Sequence, residues 1–421
     1  MTTPKNLPAW LEYIQALHTK PIAMGLDRVA KVAKNLKLIP SFPIITVAGT
    51  NGKGSTCAML ESIYHEVGYQ VGCYTSPHLL RYNERVRVAC TEVTDEALCV
   101  AFAAVENARG EVALTYFEIS TLAAVWHFMQ SDLDLAILEV GLGGRLDAVN
   151  IFEPNCTIVT SIDIDHIDFL GGTRELIGYE KAGIYRQNIP AIIGDVEPPL
   201  SLLQYAQAIN ADLRCIGPDF TGIKTTIGWD FKSNNIGLIH LPLPALVGDF
   251  QLNNAACAIE AVQCLQEALP VKQSDIAQGL QVVKLTGRFQ KISTKPEVIV
   301  DVAHNPQAAI ALAKNLASTI CSGKTIAVFA MLADKDIQGV IDALIKEIDA
   351  WYIADTQTAR GASSSMLNDV IRQVSIEKQY QQPQVKLFTS TLQAYKQACF
   401  DVNENDRIIV FGSFFTVADV L

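Results

Sequence analysis

The chain has 421 residues, of which 49% are hydrophobic and 18% charged, with a formal net charge of −11. That length exceeds one ordinary core and predicts two or three domains, with a large interior and no low-complexity tract. The acidic balance, without any dense basic stripe, excludes a nucleic-acid partner, and no apolar run is long enough to span a membrane.

In chain order, the first strong signal is the β-branched apolar run Ile44–Ala48, which ends in Gly49-Thr50-Asn51-Gly52-Lys53-Gly54-Ser55 and passes at once into a helical pattern. Such a turn builds a phosphate cradle. Glycines let the backbone approach an anion, the N–H groups of the turn and helix start point at it, lysine adds a charge, and a hydroxyl can hold Mg²⁺. Gly54 between Lys53 and Ser55 departs from the usual pattern, so a plain tight turn is the alternative. A second strand, Gln70–Tyr74, leads into Thr75–Arg87, a loop by its Ser76-Pro77. The loop carries Arg81, Arg85 and Arg87, which suit carboxylate or phosphate recognition but equally a solvated surface.

The run Leu133–Val140 reads as a buried strand ending at Glu139 beside the glycine turn Gly141–Gly144. A carboxylate there can hold Mg²⁺ through hard oxygen, or it can simply pair with a nearby arginine. After the strand Cys156–Ser161 come Asp163, Asp165, His166 and Asp168, which read as a cation site, a solvated loop, or a hydrogen-bonded histidine. Lys181, near a helix end, is either functional or merely solvated. With Ala191–Ile193, these strands and the helices between them predict a mostly parallel sheet covered on both faces.

The pattern changes at Pro242–Gly248, a helix follows over Asn253–Leu269, and Leu285–Phe289 interrupts again. Beyond it Val298–Val302, Thr325–Ala330, Trp351–Ala354, Val385–Phe388 and Arg407–Phe411 predict a second, doubly wound α/β domain of five strands. The expected division is 1–288 and 289–421, with the join near 288–296. Asp301-Val302-Ala303-His304-Asn305-Pro306 puts polar groups on a strand end, with Pro306 suited to the first turn of a helix. The ten cysteines, from Cys57 to Cys399, form no CxxC pair and sit in apolar patterns. They read as free thiols of a reducing, cytoplasmic compartment, and Met1–Trp10 lacks the apolar stretch of a secretory signal.

Taken together, Gly49–Ser55, Ser76–Arg87, Leu114–Glu118, Leu138–Asn150, Asp165-His166, Glu180–Gly183, Gln251–Ala256, Gly287–Phe289, Asp301–Pro306, Met331–Asp336 and Gly412–Phe414 resemble, nearly end to end, the folylpolyglutamate synthase/dihydrofolate synthase branch of the Mur ligase superfamily. Gly54 agrees with this branch. The resemblance implies a P-loop ATPase domain followed by a smaller Rossmann-like domain, with ATP used by both. It implies an ATP-dependent ligase that phosphorylates a substrate carboxylate and lets the amino group of L-glutamate displace the phosphate. The implied acceptors are dihydropteroate and reduced folates. Leu114–Glu118 looks like the bifunctional bacterial form.

Carried over by position, Asn51, Gly52, Lys53, Gly54, Ser55, Asn254, Arg288 and Asp301 are implied ATP contacts. Ser55, Ser76 and Glu139 are implied ligands of a first Mg²⁺, and His166 with a carbamylated Lys181 those of a second. The implied catalytic residues are Lys53, His166 and Lys181. The folate side would use Met24, Gly25, Leu26, Ser76, Pro77, His78, Arg81, Thr115, Tyr116, Phe117, Glu118, Leu146, Asp147 and Ala148, with His304 on the glutamate side. The alternatives are a monofunctional folylpolyglutamate synthase, a Mur-type peptidoglycan precursor ligase, and a non-ligating P-loop switch. No leftover apolar stripe calls for a partner subunit, so a monomer is expected.

Overall fold

The structure is a computed structural model and describes residues 4–19, 22–234 and 236–421. Two compact units emerge. The first runs to Ala245 and takes in Gln251–Lys284; the second holds Leu246–Phe250 and Leu285–Leu421. The division therefore falls before Arg288, and a short piece from mid-chain joins the second unit.

In the first unit the strands are β1 (Ile44–Ala48), β2 (Val71–Tyr74), β3 (Val86–Val88), β4 (Thr91–Glu92), β5 (Leu135–Glu139), β6 (Cys156–Val159), β7 (Pro190–Ile193) and β8 (Asp212–Cys215). They form one sheet in the order β4-β3-β2-β5-β1-β6-β7-β8. Every pair from β2 to β8 is parallel, while β3 and β4 add antiparallel at one edge. The central strands are apolar at nearly every position because helices cover both faces, and β1 and β5 are buried throughout. The β5 register is fixed by Val47 standing opposite Glu139.

β1, β2, β5 and β6 all point the same way, so their C-terminal ends share one edge of the sheet. That edge collects Gly49–Ser55, Thr75–Ser76, Glu139–Gly144 and Thr160–Asp165, where an α/β sheet offers room for ligands. A separate antiparallel sheet, β9 (Phe220–Lys224), β10 (Trp229–Ser233) and β11 (Gly237–Leu241), was not expected from the sequence. The helix expected over Asn253–Leu269 runs from Phe250 to Cys264.

The second unit has six strands rather than five: β12 (Gln290–Thr294), β13 (Glu297–Val300), β14 (Thr325–Phe329), β15 (Ala350–Ala354), β16 (Gln384–Phe388) and β17 (Arg407–Phe411), in the order β12-β13-β17-β14-β15-β16. The extra strand is β12, which pairs antiparallel with β13. Residues read as the join between domains are thus part of this unit's own sheet. Its core stacks Phe329 on Phe411 at 4.8 Å with Trp351 edge-on. Asn305 caps the helix Pro306–Ser318, whose first residue is the expected proline.

Candidate active site

The phosphate loop is built by the two strands that flank it. Thr50 N donates to Ser161 O at 2.7 Å, Thr50 Oγ1 and Asp163 N are 3.0 Å apart, and Thr160 Oγ1 donates to Asn51 O at 2.6 Å. Gly52 has φ +91, and a Cβ there would stand 2.5 Å from Asn254 Oδ1. Only glycine fits that turn, because both the backbone angle and the close approach forbid a side chain. The helix Lys53–Val67 then starts without a side-chain cap, leaving its N–H groups for an anion.

Asn254 therefore does meet the loop, and it brings a residue that sequence reasoning missed. Its Nδ2 donates to Gln251 Oε1 at 2.9 Å, and Gln251 Nε2 donates to Ser55 Oγ at 3.3 Å. Gln251 is completely buried. Its partner lies 196 residues away, so only its place in the matched stretch Gln251–Ala256 could have drawn attention to it.

Two ammonium groups share one carbonyl. Lys53 Nζ lies 3.0 Å from Gly49 O and 3.2 Å from Thr50 O, while Lys181 Nζ reaches the same Gly49 O at 2.9 Å. Lys181 is buried, not solvated. Burial first, and then the charge of Lys53, lower its pKa to about 7, against the opposing pull of Asp165 and Asp147. Lys181 is delivered by close packing of the helix Arg174–Ala182 on the glycine turn. A Cβ on Gly144 would stand 2.9 Å from both Glu180 O and Lys181 O, and Arg145 N donates to Glu180 O at 2.8 Å. Arg145 is clamped between the rings of Tyr179 and Tyr205, 4.2 and 4.6 Å from their centroids.

Glu139 is buried at its strand end, and Oε2 accepts from Ser76 N at 3.0 Å. One of its partners is thus a backbone amide of Ser76, the other candidate ligand. His166 is exposed, sits in the left-handed region at φ +53, and keeps Nε2 3.9 Å from Asp165 Oδ2. Among the described residues no group of three His, Cys, Asp or Glu side chains is placed to hold a metal. A buried carboxylate with serine hydroxyls beside a phosphate loop still fits Mg²⁺, which favours few protein oxygens and keeps water and phosphate as the rest. An unmodified Lys181 ammonium does not fit as a ligand.

Several implied folate residues converge on the glycine turn. Met24 Cε comes within 3.8 Å of where a Cβ would stand on Gly143, and the Phe117 ring covers Gly141. Asp147 is buried and accepts from Gly141 N, Leu142 N and Val149 N at 2.9–3.0 Å. Burial outweighs these bonds and the nearby Lys53, lifting its pKa from 3.8 to about 6. The folded state then holds a proton that the unfolded chain releases. This contribution favours folding below pH 3.8 and is lost as pH rises through about 6. Asp147→Asn should flatten the stability curve between those values in urea titrations at stepped pH. A variant that keeps the wild-type slope would show that another group titrates there.

Thr115 and Glu118 have local roles that the sequence reading overlooked. They form a reciprocal capping box for the helix Tyr116–Gln130, with Thr115 N to Glu118 Oε2 at 2.7 Å and Glu118 N to Thr115 Oγ1 at 3.2 Å. Arg28 reaches the other Glu118 oxygen at 3.0 Å and also holds Ala23 O, fixing the segment before Met24. In the Ser76–Arg87 loop, Arg81 is exposed beside Glu92 and Asp95, whereas Arg85 and Arg87 are held within the fold. His78 is neutral, its pKa lowered to about 4 by burial and then by Arg85.

In the second unit Asp301 bridges two turns, accepting from Phe289 N and Ala303 N at 2.8 Å each. Burial raises its pKa, although Arg288 opposes this. Arg288 lies 5.4 Å from the Phe414 ring, and His304 packs on the same ring while its Nδ1 meets Val302 O at 2.8 Å. These three implied residues therefore form one cluster.

Two family models match, the Mur ligase middle domain over residues 47–262 and the Mur ligase glutamate ligase domain over 287–414. The dihydrofolate synthase/folylpolyglutamate synthase of Escherichia coli is 44% identical over 416 residues, covering 99% of this chain and 94% of that protein. Among solved structures, E. coli FolC in complex with DHPP and ADP aligns with a TM-score of 0.93 at 44% identity, covering 100% of this chain and 98% of that one. A bifunctional folylpolyglutamate synthase/dihydrofolate synthase with Mn, AMPPNP and L-glutamate bound aligns at 0.91 and 42%, over 100% and 98%. With that identity sustained from end to end, the chain belongs to the dihydrofolate synthase/folylpolyglutamate synthase family of Mur ligases.

Proposed function

We propose that this protein is an ATP-dependent amide ligase that joins L-glutamate to dihydropteroate and to tetrahydrofolate and its polyglutamates. The observation that carries this reading is the placing of Lys53 and Lys181 on one carbonyl of the phosphate loop, at the sheet edge that also presents Glu139. A P-loop switch has no need of a second, buried lysine there.

A carboxylate is a poor electrophile. Its oxygen attacks the γ-phosphorus of ATP, ADP leaves, and the acyl phosphate so formed has phosphate as a leaving group. The amino group of L-glutamate then attacks the carbonyl carbon, phosphate departs, and the amine loses its proton as the amide forms. The protein's share is positioning and charge neutralisation. Lys53, with the N–H groups of Asn51–Ser55, serves the phosphates, and Asn254 steadies the loop at Gly52. Ser55, Ser76 and Glu139 would hold one Mg²⁺, and His166 with a modified Lys181 a second; the ion when bound neutralises phosphate charge. Arg288 and Asp301 are assigned to the nucleotide and His304 to the glutamate side. Met24–Leu26, Ser76–His78, Arg81, Thr115–Glu118 and Leu146–Ala148 are assigned to the folate. The ten free cysteines favour a reducing, cytoplasmic setting, and the protein is read as a monomer.

The test is glutamate-dependent phosphate release, first with dihydropteroate and then with a reduced folate. Release with both supports the bifunctional reading. Release with the reduced folate alone makes the enzyme a monofunctional folylpolyglutamate synthase, and release with neither overturns the reading.

We further infer that Lys181 is carbamylated. Its amine sits buried beside the Lys53 cation, where a carbamate would replace like-charge repulsion with attraction and supply oxygen to a metal. The neutral amine adds to carbon dioxide and loses one proton. Protein equilibrated with ¹³C-bicarbonate should show one carbamate carbon resonance that Lys181→Met abolishes. High-resolution density with a bare amine, from crystals grown with bicarbonate above neutral pH, would refute it.

A further inference from the structure

In the loop between β2 and β3, His78 is assigned to the folate above, but its partner Arg85 has no part in that chemistry. Arg85 is buried, with its guanidinium 5.6 Å from the Tyr82 ring centroid and 5.5 Å from that of Tyr116. From there its Nε donates to His78 Nδ1 at 2.8 Å. Arginine has donors only and stays protonated, so Nδ1 must be the acceptor, and the neutral ring carries its proton on Nε2. The half-buried histidine is thereby reduced to one polar function, a single N–H donor.

The backbone on either side of His78 is fixed as well. Ser76 N is held by Glu139, and the Glu84 carboxylate accepts from Leu79 N, Leu80 N and Arg81 N, all at 2.7 Å. Burying a cation is costly, and a half-buried histidine needs no such support merely to pack. The cost is understandable if the direction of the Nε2–H matters. His78 follows the strand end where Ser76 meets Glu139, on the same sheet edge as the phosphate loop. A carboxylate that attacks a phosphate bound in that loop must approach this edge.

We propose that His78 donates its Nε2–H to one oxygen of the substrate carboxylate that becomes phosphorylated, and that Arg85 is the positioning residue that fixes this tautomer. The other carboxylate oxygen is left to attack, and the proton stays on Nε2 throughout. This rests on the ligase reading. The ligand class is a carboxylate-terminated acyl acceptor, which dihydropteroate and folates share.

The test uses the full chain with His78→Gln, His78→Asn and His78→Phe. Glutamine places an amide N–H near the Nε2 position, and asparagine near Nδ1. His78→Phe and His78→Asn should lower kcat/KM for dihydropteroate by about ten- to a hundredfold, the range of a hydrogen bond to a charged group. The KM for ATP should be unmoved, and His78→Gln should recover most of the loss. Recovery by asparagine and not glutamine, full activity in all three, or an equal rise in the ATP KM would overturn the proposal. ADP affinity of each variant, by calorimetry, checks that the fold persists. Independently, ¹⁵N spectra of the unliganded wild type should show His78 protonated at Nε2 and bare at Nδ1; the reverse tautomer would overturn it too. A wild type without glutamate-dependent phosphate release defeats the ligase reading, and with it the acceptor named here, whereas the spectra judge the tautomer alone.

Discussion

Lys53→Ala should lose about three orders of magnitude in ligation rate while remaining folded. Losing one preorganised charge from a phosphoryl-transfer site has consequences of that size. The structural damage is small because Lys53 is only partly buried and holds two loop carbonyls, one of which, Gly49 O, keeps Lys181 as a donor. Stability should therefore change by no more than about 1 kcal/mol. Lys53→Arg should not restore the rate, since a planar fork cannot occupy the place of a compact ammonium. Phosphate release and a thermal melt on the same preparations decide the matter. Near-normal ligation by folded Lys53→Ala would remove the phosphate loop from the mechanism.

The largest loss of stability should come from Arg87→Leu. Arg87 reaches from β3 to Glu61 on the helix Lys53–Val67, with Nη2–Oε2 at 2.7 Å and Nε–Oε2 at 2.9 Å. It also donates to Glu84 O at 2.7 Å. Glu61 is only 4% exposed, so removing the arginine strands a buried carboxylate. Breaking such a pair costs about 3–5 kcal/mol, whereas replacing both partners by apolar residues is often near neutral. Urea unfolding should show that large loss for Arg87→Leu and recovery of most of it in Glu61→Leu/Arg87→Leu. A single variant within 1 kcal/mol of wild type would mean that the pair carries little.

The central strands were legible because each is a short, mainly apolar and β-branched run, as in Ile44–Ala48 and Ile408–Phe411, buried at every position. β9 and β12 were not, since Phe220–Lys224 and Gln290–Thr294 mix polar residues with half-covered ones and resemble loops. The phosphate loop could be read because its parts are contiguous. Glu118 illustrates a local role passed over. Thr115-x-x-Glu118 is a local capping signature present in the sequence, yet the resemblance drew both residues toward the substrate. The bonds from Arg28 to Glu118 and from Gln251 to Ser55 could not be read, because they span 90 and 196 residues and only the fold brings those partners together.

The short piece Leu246–Phe250 bears on how the gene can be divided. It belongs to the second unit although Gln251–Lys284, which follows it, belongs to the first. The Val247 carbonyl lies 3.5 Å from Asn315 Nδ2, and the Phe250 ring closes over Gly248. A fragment that begins at Leu285 would carry everything matched by the glutamate ligase model and still lack five residues of its own body. Conversely, a fragment ending at Lys284 would carry those residues without Asn315 and the rest of the unit they belong to. Truncation at this point would sever a compact unit where the family boundaries suggest a linker.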